Sequence, residues 1–465
     1  MKDILSKEIR NPRMLCLVLL LAFLPFGARP SYEMFGATIR LSQLAGLLLI
    51  FFATPIIYKN RNDWLKPPWV FFLAFITVSL VSGLFAFSRA EAFTTLFFYG
   101  FTILLAYAVA ATFEIEDSTV YTAVIYAGGL LVIGFCLYQF IGDSLGVSPA
   151  LTLLMEPYTK AIFGFPRVQG FSLEPLHLAN YLIIPLSLAL AEYCLNVKRG
   201  RLLLIASFLL ITLLTVSRGG YLAIGSIVLV ASLYLVRIRQ FRRLIMLAIS
   251  IGLAAALSVL LIVGSGSIVN DRMDKTIVPE ASLPGLPTQQ ICAEGNAARL
   301  VYHVDSYQSD PSYKDRIKTL KQAVGIGISR PLLGVGPGNF GPFVTKNYPD
   351  LYRDPTQTVN NQFAEIFAET GLAGLITMLC FFGWVAYKAI SLKVSQHNST
   401  RNIWFFGTLM MLVGFLMQWL TFSTLYITHI WVVVGIFVSI ATLKTGGLVD
   451  ANEKKAKPAK AKAKS

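Results

Sequence analysis

Twelve mostly apolar stretches, many of them close to twenty residues long, leave this chain few ways to fold. They lie near 14–28, 41–58, 68–88, 92–113, 119–141, 176–196, 201–216, 219–236, 243–265, 371–391, 403–420 and 424–443. About 20 apolar residues are needed to carry a helix across a bilayer. A segment inside lipid must also satisfy its own backbone hydrogen bonds, which makes helices the default. The period-two alternation of a membrane β-barrel is missing. With 55% hydrophobic and 14% charged residues among 465, a soluble domain is excluded. The expected fold class is an all-α polytopic membrane protein. It has about twelve transmembrane helices and a large external loop, containing short helices, between the ninth and tenth.

Lysine and arginine set the orientation, because they accumulate on the cytoplasmic side. With a cytoplasmic N-terminus, the inside segments are 1–13, 59–67, 114–118, 197–201, 237–243, 388–402 and the tail. Together they carry 24 of the 40 basic residues, although 114–118 is acidic. Both termini are then inside and the 266–370 interval outside. The net charge of +15 is accounted for by topology and the tail, so no nucleic-acid partner is implied. The basic start and apolar core of residues 1–30 read as a retained first helix, with no small-residue cleavage site after them. Four of the five cysteines lie in apolar runs and only Cys292 is in the long loop, so no disulfide is expected there, and no spacing suggests a metal site.

The chain divides into a scaffold of membrane helices (1–141) and core helices with a first outer loop (142–265). A large external loop (266–370), C-terminal membrane helices (371–444) and a basic, disordered cytoplasmic tail (445–465) follow. Arg40, at the outer end of the second run, reads as a snorkelling side chain. PALTLLMEPY in the first outer loop reads as a short interfacial helix. The loop then enters the sixth run through FPRVQGFSLEPLHLANYL, where Glu174-Pro175 makes a good helix start but leaves Arg167 and His177 unexplained. LLTVSRGGYLAIG joins two runs by a tight turn, and Arg218 at its edge is either a snorkelling end residue or an anion ligand. Residues 266–311 lack a sustained period. From there, Ile317, Leu320 and Val324 mark one face of an amphipathic helix whose polar face carries Arg316, Lys318 and Lys321. GVGPGNF then ends it. This is no dinucleotide loop, because the spacing is wrong and no strand precedes it; it implies close backbone approach or a plain turn. NNQFAEIFAETGLAGL reads as a helix with Phe363, Ile366 and Phe367 on one face and Asn360 or Thr358 as its N-cap.

Seven arginines (Arg167, Arg218, Arg272, Arg299, Arg316, Arg330, Arg353) lie on the expected outer side, against the topology rule, so they need a local reason. Arginine's planar fork of donors suits phosphate oxygens and stays charged when partly desolvated. A diphosphate on a lipid carrier would sit at this depth. No hydrolase-like Ser-His-Asp order is present.

The segments VSRGGYLAIG, DRIKTLKQAVGIGISRPLLGVGPGNF and NNQFAEIFAETGLAGL, in that order around one long loop, resemble the O-antigen ligase and polymerase superfamily. RVQGFSLEPLHLANYL resembles the family's segment entering its mid-chain helix, and the likeness covers about 165 to 385. It implies a GT-C-like bundle in the bacterial inner membrane with its active loop in the periplasm. It also implies an inverting, metal-independent glycosyltransferase that needs no cofactor. The donor partner would be a glycan on a polyprenyl diphosphate; the acceptor would be a second lipid-linked repeat or lipid A–core, within the surrounding membrane lipids. By motif position, Arg218 and Arg316 match the family's essential arginines, with Arg167 a further diphosphate ligand. The chain departs at Asn360-Asn361, where many ligases have His-Asn. Asparagine takes no proton, so Asn360 orients a substrate, with Asn361 and Glu365 as further positioning residues. His177, Glu174 and Glu365 are the candidate bases, His177 also reading as an ordinary helix-start histidine. The missing histidine tilts the expectation toward a polymerase, with a ligase as the near alternative. A transporter of the same lipid-linked glycan is the alternative of another class. The external clustering of polar residues and the unlike halves argue against it.

Overall fold

The computed structural model describes residues 11–28, 31–34, 37–196, 200–273, 311–352, 354–391 and 399–442. Expectations for residues 274–310 (Cys292 and Arg299 among them), for Arg353 and for the tail lie outside these. Every apolar run is a helix. In chain order they are α1 (Pro12–Phe23), α2 (Leu41–Lys59), α3 (Trp69–Leu84), α4 (Arg89–Thr112), α5 (Ser118–Ser144), α6 (Pro175–Leu195), α7 (Gly200–Leu214), α8 (Arg218–Arg237) and α9 (Phe241–Met273). Two helices of the long loop, α10 (Pro311–Ser329) and α11 (Phe340–Asn347), precede α12 (Gln362–Ser391), α13 (Ser399–Gln418) and α14 (Thr428–Thr442). Eight are long and apolar enough to cross a membrane: α2, α4, α5, α6, α8, α9, α12 and α13; α1, α3, α7 and α14 are shorter apolar helices. One feature departs from all-α. Before α2, Ser31–Met34 and Ala37–Arg40 pair as a small antiparallel hairpin.

Burial sorts the helices. Of the apolar stretch of α6, 89% is inside the protein, against 22% for α9. Helix α6 is therefore wrapped by protein, packing on α13, α7 and α8, whereas α9 is peripheral. Residues Thr428 to Ala441 of α14 are buried throughout, and it packs on α4 and α13. A helix hemmed in this way tolerates polar residues that lipid would not. Asn180 of α6 donates through Nδ2 to Gln418 Oε1, and its Oδ1 accepts from Nε2 of His429, tying α6, α13 and α14 together.

The long loop folds onto the bundle with a small core of its own. Ala323 and Ile326 of α10, Val335, Phe340 and Val344, and Ala364 and Ala368 of α12 form it. The fully buried stripe of α10 is Thr319, Ala323 and Ile326; of the expected Ile317, Leu320 and Val324, Leu320 packs partly buried against this core and Val324 is exposed. The reason is the partner. The helix lies on the first turns of α12, and small residues there admit Phe367, whose ring occupies the place a side chain on Gly327 would take.

GVGPGNF is the lock of this cap. Gly334, Gly336 and Gly338 all have positive φ, and a Cβ on Gly334 would stand 2.4 Å from the carbonyl oxygen of Ala368. Close backbone approach is thus what the glycines serve. Val335 N–H donates to Ala368 O (3.0 Å) and Gly336 N–H to Glu369 O (2.9 Å). The Glu369 carboxylate, buried, accepts from Gly338 N–H (2.8 Å) through one oxygen and from Phe340 N–H (3.1 Å) through the other. Successive N–H groups of this kind form an anion-binding nest, here filled by the chain's own carboxylate. The α3–α4 hairpin grips the same loop: Ser82 Oγ donates to Glu369 O (3.0 Å), and Ser88 N–H to Asn339 Oδ1 (2.6 Å). Helix α12 breaks where the loop meets it. Gly371 (φ 68°, ψ −167°) interrupts the helical path, and Leu372 N–H donates to Pro331 O (2.7 Å) instead.

Candidate functional site

Arg167 and Arg218 meet at the turn between α7 and α8. The first outer loop is pinned to α5, where Gln139 Oε1 accepts from Gly170 N–H (2.8 Å) and Asp143 Oδ2 from Lys160 N–H (2.7 Å). In that loop PALTLLMEPY makes only a helical turn at Pro149–Thr152 and a 3-10 turn at Glu156–Tyr158, not the expected interfacial helix. So fixed, Arg167 donates through Nε to Thr215 O (3.1 Å) and through a terminal nitrogen to Val216 O (3.1 Å), its guanidinium 4.6 Å from the Phe163 ring centroid. Val216 has φ 47°, a strained conformation for a β-branched residue that persists only when its surroundings enforce it. Arg167 supplies that clamp. The next residue, Ser217, caps α8 by accepting from Gly220 N–H (3.2 Å), and Arg218 projects exposed from the first position of the helix. Burial pulls the Arg167 guanidinium below the usual arginine range; Tyr158, Tyr221 and Glu174 oppose the shift, and the like charge of Arg218 adds to it.

Arg316 comes from α10 and reaches the same place from the other side. It donates to Thr421 O at 2.8 Å. A Cβ on Gly219, next to Arg218, would lie 2.5 Å from Thr421 Oγ1. Thr421 therefore accepts from Arg316 and packs against the neighbour of Arg218. It belongs to the segment 419–427 between α13 and α14, which the runs at 403–420 and 424–443 had left as a three-residue turn. Nearly every polar element of the site is tied to this segment. Gln362 N–H donates to Trp419 O (2.8 Å), and Gln362 Oε1 accepts from the N–H groups of Thr424 (2.7 Å) and Leu425 (2.8 Å). Asn361 Nδ2 donates to Leu420 O (3.1 Å) while its Oδ1 accepts from Ala364 N–H (3.0 Å). Asn361 is thus the N-cap of α12, in place of the expected Asn360 or Thr358. Asn360 precedes it with φ 57°, a left-handed conformation that asparagine tolerates. Phe363 packs near Trp419, ring centroids 6.2 Å apart.

The three candidate bases are placed differently. Glu174, at the N-cap position of α6, is exposed and does not cap the helix. Glu365 accepts from Val359 N–H (3.1 Å), with Ser423 and Gln362 beside its carboxylate, so it serves to close the start of α12. His177 stands one turn into α6, edge-on to Phe422 with centroids 4.9 Å apart, and its Nδ1 is buried without a hydrogen-bond partner. It lines a cleft with Arg40 and His429. Arg40 is accordingly no snorkelling residue: its backbone N–H donates to Gln43 Oε1 (2.9 Å) and its side chain turns into the protein. Tyr426 lies between the groups. Burial and then Glu365 raise its hydroxyl above the usual range, Arg40 opposes, and Glu174 adds to the rise. Among the described residues, no three His, Cys, Asp or Glu side chains are arranged to hold a metal ion.

Tyr426 and the rest of the 419–427 segment carry no reading in the sequence, and Arg40 reads there only as a snorkelling residue. A signal for them exists: Asn180, Gln418 and His429 are polar residues inside apolar runs, where such residues mark function by default.

The chain has no match among curated proteins. Residues 202–379, from α7 into α12, match the family model described as O-antigen ligase. That stretch contains Arg218, Arg316, Asn360, Asn361 and Glu365; Arg167, Glu174, His177 and the 419–427 segment lie outside it. Motifs and helical membrane architecture agree with this match, which supports a place for the chain in the O-antigen ligase and polymerase superfamily.

Proposed function

We propose that this protein transfers a glycan from a polyprenyl diphosphate donor to a sugar hydroxyl at the outer face of the bacterial inner membrane, both termini being cytoplasmic. What supports this is that Arg316 is fixed against Thr421 O while Gly219, next to the exposed Arg218, packs against the same threonine, so two cations from separate elements start from one turn. The acceptor oxygen attacks the anomeric carbon, the bond from that carbon to the diphosphate breaks with inversion, and the lipid diphosphate leaves with the electron pair. Preorganised arginines stabilise the charge that develops on the leaving group more than the ground state. Arg167 holds the turn that presents Arg218. Glu174 is the base that takes the hydroxyl proton, since its carboxylate stands exposed at the start of α6 and caps no backbone group. Asn360 and Asn361 shape the acceptor side and move no proton.

A polymerase that adds to a lipid-linked repeat is favoured by Asn360, where the ligase pattern has an imidazole. Transfer to lipid A–core is the second reading, favoured by the description of the matching family. Reconstitution separates them: purified protein, a lipid-diphosphate glycan, EDTA and no nucleotide, with and without lipid A–core. Growing chains on the carrier alone mean a polymerase; product only with lipid A–core means a ligase; no transfer in either arm sinks the proposal. In the productive arm, Glu174→Gln should lower turnover by about 10²- to 10⁴-fold, the usual worth of a positioned base, with donor binding retained. Unchanged turnover would remove Glu174 from the mechanism.

A further inference from the structure

A small cleft, partly open to solvent, lies where three helices begin. Arg40 and Ser42 reach it from the start of α2, Ser172, Leu173 and His177 from the entry to α6, and Thr428 and His429 from the start of α14. Each helix start brings N–H groups without an intrahelical acceptor and the positive end of a helix dipole. The side chains add to that field. Arg40 is partly withdrawn from water, and burial lowers its guanidinium below the usual range. No Asp or Glu is among the residues lining the cleft. Nδ1 of His177 is buried without a partner, while Nε2 of His429 is already committed to Asn180. A half-buried cation and an unused ring nitrogen, with no lining carboxylate to balance them, call for an anion from outside.

The rest of the lining is apolar: Leu24 beyond α1, Leu173, and Ile427. Leu173 is 44% exposed, which puts hydrocarbon at the rim. All these residues stand at helix ends, the level at which a lipid head group meets its chains. We propose that this cleft is a second anion site, separate from the Arg218–Arg316 turn, that takes the phosphate-bearing head of an amphiphile and lays its hydrocarbon against Leu24, Leu173 and Ile427. The site stands on Arg40 and His177 and does not depend on the transfer reaction proposed above.

Calorimetric titration of the detergent-purified full chain tests it with three probes: inorganic pyrophosphate, farnesyl diphosphate and dioctanoyl phosphatidate. An Arg218→Ala/Arg316→Ala background removes binding at the first site; if those arginines bind no donor, that background changes nothing and the result below still reads. In it, an amphiphile should bind, and Arg40→Gln should weaken binding by about 10- to 100-fold, the worth of charge-assisted hydrogen bonds. Leu173→Glu alters an exposed rim position and leaves the fold intact, so it decides the matter should Arg40→Gln fail to fold; its like charge should also weaken binding. Undiminished binding in Leu173→Glu, or in folded Arg40→Gln, overturns the site. Pyrophosphate binding as tightly as the amphiphiles overturns the hydrocarbon contact. Preference for farnesyl diphosphate assigns the ligand to lipid-linked substrates, and preference for phosphatidate to bilayer lipid.

Discussion

Arg316→Ala should lower glycan transfer by about 10²- to 10³-fold, the cost of removing one preorganised donor from a developing charge. Its guanidinium is held against Thr421 O before substrate arrives, so little reorganisation remains at the moment of bond breaking. Arg218→Ala should cost a similar factor. Because both act on one leaving group, the double variant should lose less than the product of the two. Arg316→Lys keeps the charge but not the planar fork, and should recover only part of the rate. The structural alternative is that Arg316 merely ties the 419–427 segment down. Thermal unfolding in detergent distinguishes the two: a large loss of rate with unchanged unfolding assigns a chemical role. Full transfer by a well-inserted Arg316→Ala protein would remove the arginine from the site.

Glu369→Ala should destabilise the cap by about 2–5 kcal/mol, the range for leaving two buried donors unsatisfied at ~1–3 kcal/mol each. The carboxylate fills the nest at Gly338 and Phe340, and alanine leaves those N–H groups buried and unpaired. Glu369→Gln should be milder, because one side-chain oxygen still accepts while the amide nitrogen faces a donor. Limited proteolysis reads the effect, with cleavage between residues 311 and 361 expected to rise before the bundle unfolds. Protection equal to the native protein would show that the glycines alone hold the lock.

Membrane architecture was legible because the bilayer imposes a length and a polarity that the sequence cannot hide, and each apolar run did become a helix. Arg218 and Arg316 stood out because cations on the expected outer side of a membrane lack a generic explanation. The turn beside them did not. Residues 419–427 sit between two apolar runs and look like a bare reversal, yet their backbone carbonyls and N–H groups receive Arg316, Asn361 and Gln362. Such backbone traffic depends on tertiary placement and leaves no side-chain signature. Arg40 was misread for the opposite reason, since an arginine at the end of an apolar run has a ready explanation. Val324 was placed on the buried face because periodicity ranks residues by hydrophobicity, whereas α10 packs its smallest residues inward to admit Phe367.

The enclosure of α6 implies an order of biogenesis. Asn180 finds its partners 238 and 249 residues further along the chain, in α13 and α14. While the intervening segments are being made, a helix that ends as an inner strut must wait with its amide facing lipid or the insertion machinery. The nascent protein is therefore most exposed to quality-control proteases between the emergence of α6 and that of α14. Variants at Gln418 or His429 should then first appear as shortened lifetimes in the membrane, ahead of any catalytic defect.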